Sequence, residues 1–316
     1  MKNILKAAIL AVGLVAVATG ASADNWTPPG PIKLMIAFAA GGGADTQARL
    51  IAEELESRSG WEFIPEQVTG KGGVNLLMAM KDQPNDGTVI GMLVTESLGY
   101  GLYTSGTDLT PADFTPLTLT AGTQMGIVSK TESGWKDMND VIAAAKAGQE
   151  ISFGVMSPRL GDLAYMLGKK NGVDFNIVSV RGGKAVMNGV NAGDLDIGWM
   201  AGIQAKGVAS GDLVNLASGL PEPLTLSPNA PLISDLGVPF DAGAYFLFAA
   251  PGGMADDARE AIASAIASVV SDESTKAGAL IKKAFGGSLT TNGAELDALI
   301  MNEYDGSGVL LKAVSE

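Results

Sequence analysis

Three glycine turns, each placed between an apolar run and a helix-like segment, constrain the fold of this chain most strongly. The first, Gly41-Gly42-Gly43, follows the apolar run 32–38, and apolar residues then recur at helical spacing. A continuous apolar run is typical of a strand that is buried on both faces. Alternation of such strands with amphipathic helices predicts a sheet of mainly parallel strands flanked by helices.

This strand-and-helix pattern occurs twice along the chain. We predict strands at 32–38, 63–67, 88–93, 124–129, 151–155, 176–180, 195–199 and 244–250, and helices from 45 to 60, at 76–80, 139–147, 160–169 and 184–192, and after 256. The pattern stops and restarts near residue 123, and 220–239 is rich in proline and loop-like. The sequence therefore predicts two α/β lobes with a helical tail.

The N-terminal segment has the order of a secretory signal peptide. Lys2 and Lys6 precede or flank a short apolar run, 7–18, and Ala21-Ser22-Ala23 supplies the small residues of a cleavage site. A membrane anchor is the alternative, but the run is shorter than the roughly 20 residues that span a bilayer. We expect residues 1–23 to be removed and the mature chain to begin at Asp24.

Composition limits the classes of function that remain. The chain has no cysteine, so a disulfide framework, a thiol metal site and a lipid anchor at the signal junction are absent from the sequence. We infer retention in a periplasm, because an exported chain without a tether would otherwise diffuse away from the cell. Removal of the two signal lysines leaves 19 Lys and Arg against 34 Asp and Glu, or a charge of −15. That balance argues against nucleic acid and anionic membranes as partners.

The chain also has no histidine, which with the missing cysteine removes most nucleophile–base pairs and most transition-metal sites. A serine nucleophile would lack the usual GxSxG turn, and no particular carboxylate stands out as a general acid or base. We therefore expect a binding protein, not an enzyme, without a metal or a cofactor.

The glycine turns favour an anion as the ligand. A turn that opens a helix directs backbone N–H groups and the positive end of the helix dipole at one point. The first turn is neither a phosphate-binding P-loop nor a dinucleotide fingerprint, because no Lys-Ser/Thr follows and Thr46 replaces the last glycine. A plain turn with Asp45 or Thr46 as an ordinary N-cap stays an open alternative.

The order of the motifs resembles the receptors of tripartite tricarboxylate transporters, which are also called the Bug or TctC-like family. The similar motifs are 32–38 followed by Gly41 to Arg49, Gly70-Lys71-Gly72-Gly73, Asn85-Asp86-Gly87-Thr88, Arg181-Gly182-Gly183 with Gly193 to Asp196, and Tyr245 to Gly252. They run in order over nearly the whole mature chain.

The resemblance implies a periplasmic binding protein of the type II fold. Residues 24–122 and 241–316 would form lobe 1, and residues 123–240 lobe 2. It also implies a small carboxylate ligand (a di- or tricarboxylate or a related organic acid) and delivery to a two-subunit membrane permease driven by an ion gradient. We expect a monomer. Sensory presentation to a receptor kinase and an exported α/β enzyme are the alternatives.

Candidate ligand-binding residues follow from the turns and the resemblance together. They are Ala40, Gly41, Gly42, Gly43, Ala44, Asp45 and Thr46 in the first turn, Gly72, Gly73, Val74 and Asn75 in the second, and Ser157, Arg159, Arg181, Gly182 and Gly183 in the second lobe. At 157–164 the chain departs from the family pattern, with Asp162 where relatives often have histidine. Arg159 is the candidate for a second ligand carboxylate, and a solvated arginine at a helix start is the alternative.

Overall fold

The computed structural model describes residues 26–316; the predicted signal peptide and the predicted new terminus at Asp24 lie outside the described residues. The strands are β1 (Ile32–Ile36), β2 (Phe63–Gln67), β3 (Val89–Val94), β4 (Phe114–Gly122), β5 (Gly126–Lys130), β6 (Ser152–Val155), β7 (Asn176–Ser179), β8 (Ile197–Met200), β9 (Leu213–Ser218) and β10 (Tyr245–Pro251).

The helices alternate with these strands and then form the C-terminal segment. They are α1 (Gly43–Ser59), α2 (Val74–Met80), α3 (Met138–Lys146), α4 (Pro158–Asn171), α5 (Gly183–Ala192), α6 (Ala205–Ser210), α7 (Asp256–Val270), α8 (Lys276–Phe285) and α9 (Gly293–Ser315). No helix of residues 26–316 is long and apolar enough to cross a membrane.

Two five-stranded sheets form the centres of two lobes. The first lobe has the strand order β2-β1-β3-β10-β4, and the second lobe has β7-β6-β8-β5-β9. The predicted two-lobed α/β fold is confirmed, and each sheet is mixed. β1 and β6 pair in parallel with both neighbours, whereas β10 and β5 pair antiparallel with both of theirs.

The antiparallel strands occur where the chain crosses between the lobes. The chain leaves the first sheet after β4 and enters the second at β5, and it returns between β9 and β10. Each crossing strand takes the fourth place in its sheet, so the two lobes have the same arrangement. The predicted boundaries of the lobes, after residues 122 and 240, stay predictions.

Both edge strands beside the crossings, β4 and β9, are absent from the sequence prediction. β4 reads FTPLTLTAG, in which threonine and proline obscure the apolar pattern. Pro116 is tolerated because β4 lies at the sheet edge, where a strand needs ladder bonds on one side only. Thr120 is fully buried and pairs its hydroxyl with Gln47 Oε1 at 2.8 Å, which satisfies the hydroxyl inside the core.

Each sheet has buried apolar side chains on both faces. Ile36 and Leu247 lie in the clusters on opposite faces of the first sheet, and Phe153 and Met200 in those on opposite faces of the second, all with at most 1% of their surface exposed. The last helix, α9, joins the two cores. Its N-terminal half adds Leu296 and Ile300 to the first lobe, and its C-terminal half packs Leu310 into the second. α9 therefore links the lobes in addition to the two crossings.

Candidate ligand-binding site between the lobes

A cavity of about 60 Å³ lies between the lobes, at the ends of β1, β3 and β6 where helices begin. This is the crevice in which α/β sheets commonly bind ligands. We call it the interlobe cavity. Its wall is formed by Phe38, Ala39, Gly42, Gly43, Ala44, Gly72, Val94, Glu96, Thr123, Ala244, Phe246 and Phe285 together with Met125, Met156, Ser157, Leu160, Gly183, Ala201 and Ile203. Most of these side chains are apolar.

The N-terminus of α1 opens onto this cavity without a side-chain cap. Its N-cap residue is Gly42, which is extended and has no side chain to offer. Within residues 26–316, no protein acceptor pairs with the N–H groups of Gly43 and Ala44. These amides therefore direct two donors and the positive end of a 17-residue helix into the cavity.

Asp45 stabilises the first turn and does not cap the helix. It is 4% exposed, and its carboxylate accepts hydrogen bonds from Gly41 N at 2.8 Å, from Arg49 Nε at 2.8 Å and from the Gln67 side chain. All three donors belong to the first lobe, so the carboxylate of Asp45 is hydrogen-bonded entirely within that lobe. Neither Asp45 nor Thr46 acts as the N-cap, so the first turn is not the plain capped turn that the sequence left open.

A second uncapped helix start faces the first from the other lobe. α5 has Gly182 as its N-cap, with φ at 111° and no side-chain cap, and Gly183 lines the cavity. In the described chain the N–H groups of Gly183 and Lys184 have no protein acceptor. The two turns touch, since Ala39 N donates to Arg181 O at 3.3 Å. The lobes therefore meet through backbone groups at Ala39, which lines the cavity.

The second glycine turn contributes a close contact between the lobes. Gly72 has a φ of 62°, and a Cβ built on it would lie 2.9 Å from Ser157 Cβ of the second lobe. Glycine is required here for both backbone conformation and space. Its neighbours serve the first lobe: Gly73 lies against Ser97, Val74 is buried, and Asn75 Nδ2 donates to Thr69 O at 3.0 Å.

The start of α4 differs from those of α1 and α5. Ser157 is its N-cap and accepts a hydrogen bond from Leu160 N at 3.3 Å, and Pro158 has no N–H. Arg159 donates to the backbone oxygens of Gly243 at 2.8 Å and Asp241 at 2.7 Å, on the segment that precedes β10. The guanidinium therefore braces a crossing of the lobes and does not line the interlobe cavity.

A larger cavity of about 870 Å³ adjoins the first around the crossing segments. Arg159, Asp241 and Glu303 line it, and Glu96 lines both cavities. Burial raises the pKa of Glu96 and raises that of Glu303 to about 7, while the Arg159 charge opposes both increases. Burial and the hydrogen bond to Asp162 raise the pKa of Tyr100.

Six of the sixteen predicted binding residues lie on the wall of the interlobe cavity. They are Gly42, Gly43, Ala44, Gly72, Ser157 and Gly183. The others support the turns from outside the wall (Ala40, Gly41, Asp45, Thr46, Gly73, Val74, Asn75, Arg181 and Gly182), and Arg159 lines only the larger cavity. Ligand contact by any of the sixteen stays a prediction.

The sequence analysis missed the apolar residues of the cavity wall and the acidic residue Glu96. Phe246 and Phe285 pack edge to face with ring centroids 5.0 Å apart, and Met125 and Met156 oppose them from the second lobe. Phe246 lies in a predicted strand that resembles a family motif, which was a usable signal. Glu96 carried no signal, because it is one of many acidic residues in the chain.

The model of the tripartite tricarboxylate transporter family receptors matches residues 47–315 of the chain. The chain belongs to this family. The predicted resemblance is therefore confirmed, and so is the prediction of a binding protein, since the family and its matched structures are binding proteins and not enzymes.

Among residues 26–316, no cluster of acidic side chains is arranged to hold a metal ion.

Two curated relatives have similar lengths and low identity to this receptor. A protein encoded in the gbd 5′ region of Cupriavidus necator is 28% identical over 79% of this chain and 77% of its own. BugT of Bordetella pertussis is 27% identical over 80% of each chain.

Solved structures of periplasmic binding proteins share the fold of the receptor. BugD has a TM-score of 0.82 at 20% identity, with 92% of this chain and 99% of BugD covered. MatC of Rhodopseudomonas palustris with bound malate has a TM-score of 0.77 at 18% identity, with 90% of this chain and 99% of MatC covered. R. palustris Rpa4515 with adipate has a TM-score of 0.78 at 20% identity, with 91% of this chain and 98% of Rpa4515 covered.

Proposed function

We propose that this receptor captures a small organic acid in the interlobe cavity, in the periplasm, and delivers it to a two-subunit permease. The observation that carries the proposal is the pair of uncapped helix starts at Gly43 and Gly183. Among residues 26–316 they present unpaired backbone donors to one cavity, and no lysine or arginine of that range lies on its wall. Such donors suit a carboxylate, which needs several hydrogen bonds when it leaves water.

The ligands of two structural neighbours support this class of ligand. MatC holds malate and Rpa4515 holds adipate, and both are small organic acids. The apolar wall of Phe38, Phe246 and Phe285 would contact the carbon skeleton, while the amides of α1 and α5 would bind the carboxylate. The two lobes would then close over the ligand. Because the ligand contacts both lobes only in the closed form, its binding would favour that form.

Thermal shift and calorimetry with a panel of carboxylates test the capture step. A ligand at 100 times its dissociation constant should stabilise the folded receptor by about 2.7 kcal/mol, which raises the melting temperature by several degrees. Each carboxylate is paired with its primary amide, which keeps the shape and loses the charge. Equal stabilisation by acid and amide, or none by any acid, would exclude the proposed function.

Delivery is tested separately with the mature receptor in the presence of its ligand. The receptor, immobilised on resin, should retain an integral permease of two subunits from detergent-solubilised membranes of the source cells. Fractionation of those cells should place the receptor in the periplasmic extract. Retention of a receptor kinase instead would favour the sensory role over transport.

A further inference from the structure

Glu96 is the one ionisable side chain on the wall of the interlobe cavity, as the structure describes that wall for residues 26–316. It follows the end of β3 and is only 5% exposed. Within the same range its carboxyl enters no ion pair, and no hydrogen bond of the required geometry reaches it. An ionised carboxyl here would repel the anion that the amides of α1 and α5 attract, because apolar surroundings screen charge poorly. The protonation state of Glu96 therefore decides whether this part of the wall repels the ligand or binds it.

The surroundings of Glu96 favour its neutral form. Burial raises the pKa of its carboxyl, and the positive charge of Arg159 and the Ser157 hydroxyl oppose that increase. The guanidinium of Arg159 is engaged elsewhere, because it donates to the backbone oxygens of Gly243 and Asp241 and lies 3.7 Å from the Asp241 carboxylate. Its charge therefore offsets the burial only in part. Buried glutamic acids can stay neutral well above pH 7.

The other titratable groups around Glu96 also disfavour its ionised form. Glu303 approaches from α9, and Tyr100 lies on the segment after β3 with its hydroxyl bonded to Asp162 of α4. A negative charge on Glu96 raises the pKa of both Glu303 and Tyr100, so these groups oppose one another's ionisation. Among residues 26–316, Arg159 is the cation whose charge favours ionised Glu96.

We infer that Glu96 binds the ligand as a neutral carboxylic acid, whose O–H donates a hydrogen bond to an oxygen of the ligand carboxylate. The inference rests on the proposed function of the interlobe cavity. That cavity is only about 60 Å³, so a carboxylate at the amides of Gly43 and Gly183 shares it with Glu96. A neutral carboxyl offers one O–H donor, and hydrogen bonds from O–H to a carboxylate oxygen are short and strong. Glu96 thus adds a side-chain donor to the backbone donors of the two helix starts.

Capture of the ligand is then linked to the protonation of Glu96. The bound carboxylate brings a negative charge into the cavity, which raises the pKa of Glu96 further. Affinity should be constant at every pH at which Glu96 is neutral in the free receptor. It should fall by up to about tenfold per pH unit where Glu96 is ionised in the free receptor, with uptake of as much as one proton per ligand. The receptor therefore holds its ligand more tightly on the acidic side of this transition.

Calorimetry on variants with and without a donor at position 96 tests the inference. The probes are acetate, lactate, succinate, malate and adipate at pH 6.5, and the probe that binds the natural receptor most tightly is used throughout. Glu96→Gln keeps a neutral donor of the same shape and should weaken binding by about threefold. Glu96→Met keeps the length without a donor and should weaken it by about 30-fold. Glu222→Gln and Glu222→Met, outside the interlobe cavity, are the controls and should leave affinity unchanged.

The pH profile of affinity separates Glu96 from Glu303, whose pKa burial raises to about 7. Calorimetry from pH 6.5 to 9.5, in buffers of different ionisation enthalpy, gives both the affinity and the number of protons taken up. The natural receptor should bind more weakly at the alkaline end, with proton uptake. Glu96→Gln should remove this pH dependence, and Glu303→Gln should keep it. The natural receptor supplies its profile even if Glu96→Met does not fold.

Three results would overturn the inference while the proposed function stands. Tighter binding by both Glu96→Gln and Glu96→Met would show that an ionised Glu96 repels the ligand. Unchanged affinity in both variants would show that Glu96 does not contact the ligand. The third result is a flat pH profile in the natural receptor, or a profile that Glu303→Gln abolishes and Glu96→Gln does not. If none of the five probes binds the natural receptor, the inference and the proposed function fail together.

Discussion

The helices α1 and α4 occupy equivalent places in the two lobes, yet they begin differently. Each follows the strand that lies between two parallel neighbours, β1 in the first lobe and β6 in the second. α1 begins after Gly42 with unpaired amides, whereas α4 begins with the Ser157 cap and Pro158. Equivalent topology therefore places a helix start at the cavity in both lobes, and the N-cap residue decides whether its amides are available to a ligand.

The two lobes therefore contribute different groups to the site. The first lobe offers its donors from α1, and the second lobe offers them from α5, whose start at Gly182 is also uncapped. α4 contributes the Ser157 and Leu160 part of the wall, while Arg159 braces the crossing of the lobes. Four substitutions test this division, in order of decreasing effect.

Gly43→Val should abolish the first-lobe donor site. A Cβ at this position would lie 3.1 Å from Phe285 Cζ and 3.6 Å from Phe246 Cζ, and the methyl groups of valine would occupy the space in front of the amides. Gly43 does not have a positive φ, so crowding and not backbone strain is the cause. We expect affinity for the preferred acid to fall by about 100-fold or more in calorimetry.

Gly161→Val is the matched control for that change. Gly161 lies in α4, and its Cβ would meet nothing closer than Val155 Cγ2 at 3.8 Å. It should cost some stability, because valine is a poor helix former, but leave affinity nearly unchanged. Equal affinities in the two variants, both folded by circular dichroism, would move the site away from α1.

Gly72→Ala should hinder the approach of the second lobe. The new Cβ would stand 2.9 Å from Ser157 Cβ, and alanine is strained at a φ of 62°. We expect about 10-fold weaker binding, with a smaller decrease in the radius of gyration on addition of ligand. Gly60→Ala provides the control, since its φ is 67° with open space around it. If both variants bind alike, contact between the lobes at Gly72 does not contribute to affinity.

Arg159→Ala should lower stability more than affinity. It removes two charge-assisted hydrogen bonds to the segment before β10, which should cost about 2 kcal/mol of unfolding free energy in urea. Affinity should change less than threefold, and equally for mono- and dicarboxylates. A loss confined to dicarboxylates would instead make Arg159 a ligand contact. Arg181→Ala, at an exposed position, should change neither quantity.

Ser157→Ala should have the smallest effect. Loss of the cap on Leu160 N should cost about 1 kcal/mol of stability, and Ser157→Asn should recover most of it. Affinity should fall by no more than about threefold, because alanine keeps the wall of the cavity. A large loss of affinity at unchanged stability would show that the hydroxyl binds the ligand.

Local patterns in the sequence were sufficient to predict most elements of the fold. The buried strands have continuous apolar runs, and a glycine marks each turn that opens α1 and α5, so β1, β3 and β10 could be located within a few residues. β4 could not, because its threonines pair with distant side chains such as Gln47, and only the tertiary structure reveals that pairing. The antiparallel pairing of β5 and β10 likewise depends on the crossings between the lobes.

The site was predictable to the extent that it consists of backbone. Gly42, Gly43 and Gly183 follow from turn chemistry, but Phe285 comes from more than 200 residues further along the chain than Gly43 and has no local pattern that points to the cavity. Arg159 was a reasonable candidate by its charge. Its guanidinium instead satisfies backbone oxygens that a crossing segment leaves unpaired, which sequence spacing does not indicate.

The amide resonances of Gly43, Ala44 and Gly183 test the central claim most directly. In two-dimensional ¹H–¹⁵N spectra, saturation with the preferred acid should move these three amide protons downfield, because each gains a charged hydrogen-bond acceptor. Amides at equivalent depth in α4, such as that of Leu160, should move little, since Ser157 already accepts from it. If the acid binds and the amides of Gly43, Ala44 and Gly183 stay in place, backbone donors do not hold the ligand and the account is wrong.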